Sequence, residues 1–234
     1  MTEELTFETY LSISQKKFEL YLFDKKNFKN IYKEVFFLEN DVDTIDYNLL
    51  SRFLDKNIFK IEKLIGKFLK NIILIIENNQ ILNLSIGIKK KNYGKKINKA
   101  YLESSLIELK NLFRENYKNN IIMHFIVKRY LIDGATYTSF DEEIDGEQMS
   151  VEVNFISISN ILIKEISNVL EKYSIKINGL FDRKYIVSFF ESESLDLPSI
   201  AYKIQSGQNQ NEVGLVSKSL KKSGFFEKFF QLFG

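Results

Sequence analysis

The chain has 234 residues, enough for one large or two small domains with a proper core. Its 33 Lys and Arg stand against 31 Asp and Glu, and a net charge of +2 argues against a bulk nucleic-acid binder. With no Cys it has no material for disulfides, zinc–thiolate sites or thiol nucleophiles, and with one His, ten Gly and one Pro it has almost none for a Ser-His-Asp triad and little for Gly-rich phosphate loops.

Residues 1–11 are acidic and polar, without the basic and apolar regions of a signal peptide. No window of about 18 apolar residues occurs, so no transmembrane helix is expected. Residues 7–13, 18–23 and 31–38 alternate apolar and polar side chains or are rich in β-branched and aromatic types. They predict an antiparallel meander. The period then changes. Leu50, Phe53, Leu54, Ile58, Ile61, Leu64, Ile65 and Phe68 follow helical spacing over 46–70, with Asp43 or Asp46 as the cap. Strands are expected at 72–76 and 81–88, followed by a basic turn over 89–96.

A second helix is expected over 98–116, with Leu102, Leu106, Leu109 and Phe113 as its apolar stripe. A strand over 121–132 ends in the turn pair Asp133-Gly134. The acidic stretch 141–148 precedes a strand at 151–158 and a third helix over 160–173. Two more strands are predicted at 175–180 and 185–189. Residues 191–212 have the composition of a flexible tether, with a short helix from Pro198 as an option.

Residues 214–234 carry Lys218, Lys221, Lys222 and Lys228 against Glu227, a side-chain balance of 4 − 1 = +3. In a helix, Phe226, Phe229, Phe230 and Phe233 share one face with Phe225 at its flank. Lys221, Lys222 and Lys228 lie to the sides or opposite. A basic amphipathic helix with an aromatic face fits insertion into an anionic membrane surface. A Phe ring contributes about 1.5–3 kcal/mol on burial, and a Lys near an anionic leaflet about 1 kcal/mol. Docking on the chain's own core, or in a partner's groove, would use the same pattern.

Reactive chemistry is scarce elsewhere. His124 lies in a strand-like run between Met123 and Phe125 and reads as a packing or hydrogen-bonding residue. Asp141, Glu142, Glu143, Asp145 and Glu147 do not have EF-hand spacing and read as a solvated loop. No catalytic residue, cofactor site or metal site is expected.

The run Ile122-Met123-His124, then Tyr130, Ile132-Asp133-Gly134, an acidic loop ending at Gly146 and the alternation Met149, Val151, Val153 resembles the SHS2 region (subdomain 1C) of FtsA. That family comprises the actin-like bacterial cell-division proteins. Leu170-Glu171-Lys172, Ile175-Lys176-Ile177 and, upstream, Ile61-Glu62-Lys63 keep the same order. The resemblance covers roughly residues 8–180, and residues 213–234 resemble the family's terminal membrane-targeting helix. Departures are specific. Leu11-Ser12-Ile13-Ser14 stands where the family has an Asp-Ile-Gly phosphate motif. Val127, Glu143 and Asn154 replace a common proline, glycine and histidine. The family runs to about twice this length, and its second phosphate motif, adenosine pocket and FtsZ contact have no counterpart here.

The resemblance implies an α/β (α+β) fold: a partial actin-like, ribonuclease-H-like subdomain with an inserted SHS2 domain and a C-terminal amphipathic helix. The expected division is 1–92 actin-like remnant, 93–180 SHS2-like domain, 181–212 return strand and flexible linker, and 213–234 membrane-targeting helix. Asp133, Gly134 and Gly146 carry over as turn-forming positions. The implied function is a non-enzymatic adaptor of cell division, peripheral on the cytoplasmic face of the inner membrane. Its partners would be an anionic lipid surface and division proteins such as FtsA, FtsZ or downstream membrane components, with self-association as an option and no nucleic acid. Phe225, Phe226, Phe229, Phe230, Phe233, Lys221, Lys222 and Lys228 are the expected lipid contacts. A PilM-like adaptor of type IV pilus assembly, binding a short peptide of a membrane partner, is the alternative. An intact actin-like ATPase is the second.

Overall fold

Residues 9–13 and 18–24 are buried at every position, and a five-stranded sheet covered on both faces accommodates them. The structure, a computed structural model, describes residues 7–38, 44–94, 96–137, 143–189 and 195–213. Two compact units divide the chain. One comprises residues 1–81 and 158–208, the other residues 82–157 and 209–234.

In the first unit, β1 (Phe7–Ile13), β2 (Lys17–Asp24) and β3 (Lys29–Phe37) form the expected antiparallel meander. Helix α1 (Tyr47–Ile65) returns the chain to β4 (Asn71–Ile76), which lies parallel to β1. After the second unit, α3 (Asn160–Glu171) leads to β9 (Lys176–Asp182), parallel to β4. The order β3-β2-β1-β4-β9 extends a meander by two parallel strands. This is a ribonuclease-H-like, actin-type sheet. The fold class is mixed α/β, as expected.

Both faces of this sheet are covered. Leu11, Ile13, Phe18 and Leu20 are fully buried on the side of α1, where Phe18 packs on Phe53 at 6.1 Å. Tyr10, Tyr21, Phe23, Ile73 and Ile75 face the other way. They cluster with α4 (Arg183–Phe189) and α5 (Leu197–Gln205). Asp46 caps α1: its carboxylate accepts from the N–H groups of Asn48 and Leu49, both at 2.9 Å. Gly66, at φ 69°, ends the helix in the left-handed region glycine tolerates.

In this unit one expectation fails and one alternative is decided. Residues 185–189 are helix α4, not strand. The Asp182 carboxylate receives the N–H groups of Lys184 and Tyr185, and Ile186 turns into the core. Residues 197–205 are helix, the option that Pro198 offered, and not tether. Asp196 caps the Ser199 N–H at 2.9 Å, Pro198 sits in the first turn, and Leu197, Ile200, Ala201 and Ile204 are buried at helical spacing.

The second unit is a four-stranded sheet covered on one face by α2 (Lys99–Asn116). Its strands are β5 (Leu82–Lys91), β6 (Asn120–Ile132), β7 (Ala135–Tyr137) and β8 (Gln148–Ser159), in the order β5-β8-β6-β7. Phe113, Phe125 and Phe155 stack at its centre, with centroids 4.5 and 4.6 Å apart. Lys89, Lys90 and Lys91 continue β5 instead of forming a turn. They pair with Ser150, Met149 and Gln148, and the Lys90 ammonium stands 5.8 Å from the Tyr101 ring.

Candidate functional site

Ligands of open α/β sheets bind beyond the carboxyl ends of parallel strands. Here those ends belong to β1, β4 and β9, and they bring together Ser14, Glu77, Asp182 and Arg183. The neighbouring β2 adds Lys17, Glu19 and Tyr21.

The turn after β1, where the family's phosphate motif would lie, is closed upon itself. Ser14 Oγ donates to the Lys17 carbonyl at 3.2 Å and accepts from the N–H groups of Lys16 (3.4 Å) and Lys17 (3.2 Å). Its hydroxyl therefore already has local partners. The cavity beside it, lined by Ser14, Phe18, Ile45, Glu77 and Asn78 among others, holds about 10 Å³. That is room for about one water molecule.

An ion pair occupies the ends of the strands. Arg183 Nη1 donates to Glu19 Oε2 at 2.6 Å and to Ser12 Oγ at 2.8 Å. Its Nε lies 3.7 Å from Glu77. Tyr21 O–H and Lys17 Nζ both donate to the other Glu19 oxygen, at 2.8 and 3.0 Å. Glu19 is 2% exposed. Burial alone would push its pKa up, but the hydrogen bonds from Arg183, Tyr21 and Lys17 outweigh that and hold it below the usual value. Burial, reinforced by the Glu19 carboxylate, pushes the Tyr21 phenol up. The site is a satisfied charge network, with Arg183 engaged by protein acceptors.

In the second unit the three turn positions prove to be one construction. Asp133 (φ 47°) and Gly134 (φ 87°) make a left-handed reversal between β6 and β7. The Asp133 carboxylate then reaches back to accept from the N–H groups of Glu147 and Gln148. Asn92 donates to the Gly146 carbonyl at 2.9 Å. A methyl group on Gly146 would overlap Ile132 Cγ2. Asn92, Asp133, Gly146 and Gln148 line an open cleft of about 690 Å³ with Lys91, Asp145 and Glu147.

His124 is 1% exposed, and its Nδ1 lies 2.6 Å from Glu212 Oε1. This contact belongs to a docked segment that the sequence did not announce. Val127 N–H donates to the Asn211 carbonyl at 2.8 Å, and Val213 N–H to the Phe125 carbonyl at 2.7 Å. Val213 is 2% exposed within the apolar core of the unit. The end of the expected linker is thus held on β6 through an isolated antiparallel bridge between Ile126 and Glu212. Phe225, Phe226, Phe229, Phe230, Phe233, Lys221, Lys222 and Lys228 lie outside the described residues, as do Asp141 and Glu142.

Among the described residues no three His, Cys, Asp or Glu side chains converge as a metal site. No helix among them is long and apolar enough to cross a membrane.

No protein-family model matches the sequence, and no curated protein matches it. The structure is similar to a chain of the PilM–PilN type IV pilus biogenesis complex, with a TM-score of 0.49 and 11% identity. The match covers 78% of this chain and 49% of that one. It is similar, at a TM-score of 0.39 and 9% identity, to the cytoplasmic domain of EpsL, an inner-membrane component of the type II secretion system of Vibrio cholerae. That match covers 75% of this chain and 57% of the other. A Bacteroides thetaiotaomicron protein with an actin-like ATPase fold and unknown function gives 0.35 at 12% identity, covering 82% and 57%. The chain spans about half the length of the first of these and somewhat more of the others.

Proposed function

We propose that this chain is a non-enzymatic, membrane-associated adaptor of bacterial cell division, FtsA-like over residues 8–180 and 213–234. Two features support the adaptor reading. The strand ends that would receive a nucleotide are filled by the Glu19–Arg183 pair, and the neighbouring cavity holds about 10 Å³. A triphosphate needs several donors and far more space. The observation that carries the membrane reading is the sequence of residues 214–234. It has five Phe in its last ten positions and a balance of +3, and it follows directly on the docked Val213. The order of motifs through residues 8–180 supports the division machinery in particular.

Flotation on anionic vesicles tests the anchor. The full chain should float, and Phe226→Glu with Phe229→Glu should abolish or sharply weaken flotation. Undiminished flotation of that variant overturns the anchor. Calorimetry with ATP and Mg²⁺ should give no binding heat, and a saturable signal overturns the non-enzymatic reading. Capture with division and pilus-assembly proteins separates the two adaptor classes: retention of a pilus inner-membrane component in place of division proteins moves the function to pilus assembly.

A further inference from the structure

Between Tyr47 and Lys70 the chain carries six cations and two carboxylates, a balance of 6 − 2 = +4 against +2 for all 234 residues. The fold separates these charges. On α1 the core side is taken by Leu50, Phe53, Leu54, Ile58 and Ile61. Arg52, Lys56, Phe59 and Lys63 recur at i, i+4, i+7 and i+11 on the opposite side, and all four are exposed. The turn after the helix adds Lys67, Phe68 and Lys70, also exposed. Both carboxylates are engaged away from this stripe. Asp55 accepts the Tyr173 hydroxyl proton at 2.6 Å, and Glu62 accepts the Leu69 N–H at 3.0 Å. Among the described residues, none of the six cations has an ion-pair partner.

Within this basic surface two large rings stand in water, Phe59 at 72% exposure and Phe68 at 81%. Polar solvent gives no reason to keep two phenyl rings among six long basic side chains. An interface that accepts rings in its apolar layer and cations at its headgroups does. Charge decides the occupant. Residues 214–234 carry +3 and would be repelled, and the same face of a second copy would meet it with like charge.

We propose that the outer face of α1, with the turn to Lys70, is a second contact with anionic lipid, Phe59 and Phe68 inserting while Arg52, Lys56, Lys60 and Lys63 bind headgroups. The inference rests on the membrane reading above and adds a surface distinct from residues 214–234. Two weak anchors joined in one chain reinforce each other, since binding of one raises the local concentration of the other at the bilayer.

The test uses full-length protein and mixed phosphatidylglycerol–phosphatidylcholine vesicles. Lys56→Gln, Lys60→Gln and Lys63→Gln together should weaken binding at least tenfold, because each cation near the leaflet contributes roughly fivefold. Phe59→Ala should weaken it further, and all these changes should leave the melting temperature nearly unchanged, since the side chains are exposed. Added salt should reduce wild-type binding more than that of the triple variant. Phe226→Glu with Phe229→Glu, in the same full chain, reports on the other anchor separately. If that variant loses binding while the triple Gln variant binds as wild type, the α1 contact is overturned and the terminal anchor stands. If it keeps a residual binding that the three Gln substitutions remove, the α1 contact stands whatever the terminal segment does. Wild-type binding by both variants, or no binding by the wild type, overturns both. Saturable, α1-dependent binding to single-stranded DNA or polyglutamate without vesicle binding overturns the lipid assignment.

Discussion

Glu19 and Arg183 are separated by 164 residues and meet at 2.6 Å across the carboxyl ends of the parallel strands. One side chain comes from the opening meander and the other from the residue that follows β9. The pair therefore forms only when the sheet is complete, and it ties β2 of the meander to the end of the last strand, β9.

Breaking this pair should cost about 3–5 kcal/mol, because it leaves a buried charge without compensation. Glu19→Gln should lower the unfolding midpoint in urea accordingly. Glu19→Gln with Arg183→Met should cost less than the sum of the two single changes. Additive losses would show that the two residues act separately.

The same pair should give the fold an acid-sensitive element. The Glu19 pKa is lower folded than unfolded, so its stabilisation is present above the ordinary carboxylate value of about 4.5. It is lost as the pH falls through the lower, folded value. Thermal melts from pH 6 downward should show a steeper loss for the wild type than for Glu19→Gln. Parallel curves would exclude Glu19 as a source.

The Gly146 position should reject any side chain. A Cβ there runs into Ile132 Cγ2, so Gly146→Ala should destabilise the second unit by about 1–3 kcal/mol. Ile132→Ala removes the obstructing methyl group. The Gly146→Ala cost should therefore shrink in that background, and an unchanged cost would locate the constraint in the backbone.

The docking of residues 209–213 is open to hydrogen exchange. The N–H groups of Val127 and Val213 are bonded to Asn211 and Phe125, so both should exchange slowly. His124→Ala removes the partner of Glu212 and should speed exchange at these two amides before it affects the centre of β8. Equal exchange in wild type and variant would show that the His124–Glu212 contact does not hold the segment.

The meander, α1, α2, the strand leading to Asp133-Gly134 and α3 were legible because their apolar residues repeat at the period of the element that buries them. Helix α5 carried the same signal in Leu197, Ile200, Ala201 and Ile204. It was masked by polar composition on either side. Helix α4 was misread because Tyr185, Val187 and Phe189 alternate like a strand. Capping by Asp182 and burial of Ile186 favour the helix instead. Neither is visible without the sheet.

By itself the sequence determined which chemistry was unavailable, through the absence of Cys, the single His and the scarcity of Gly. It also determined the mixed α/β class and the concentration of Phe and Lys in the last twenty residues. These follow from composition and local period. Only the tertiary structure decided that Glu19 and Arg183 fill the strand ends, that the Asp133 turn and the Gly146 stretch meet, and that Glu212 and Val213 are docked on β6. It also decided that the cations of α1 and the following turn share an exposed face with Phe59 and Phe68. Each of these joins residues far apart in the chain, or depends on which side of a helix the core takes, and local periodicity carries no record of either.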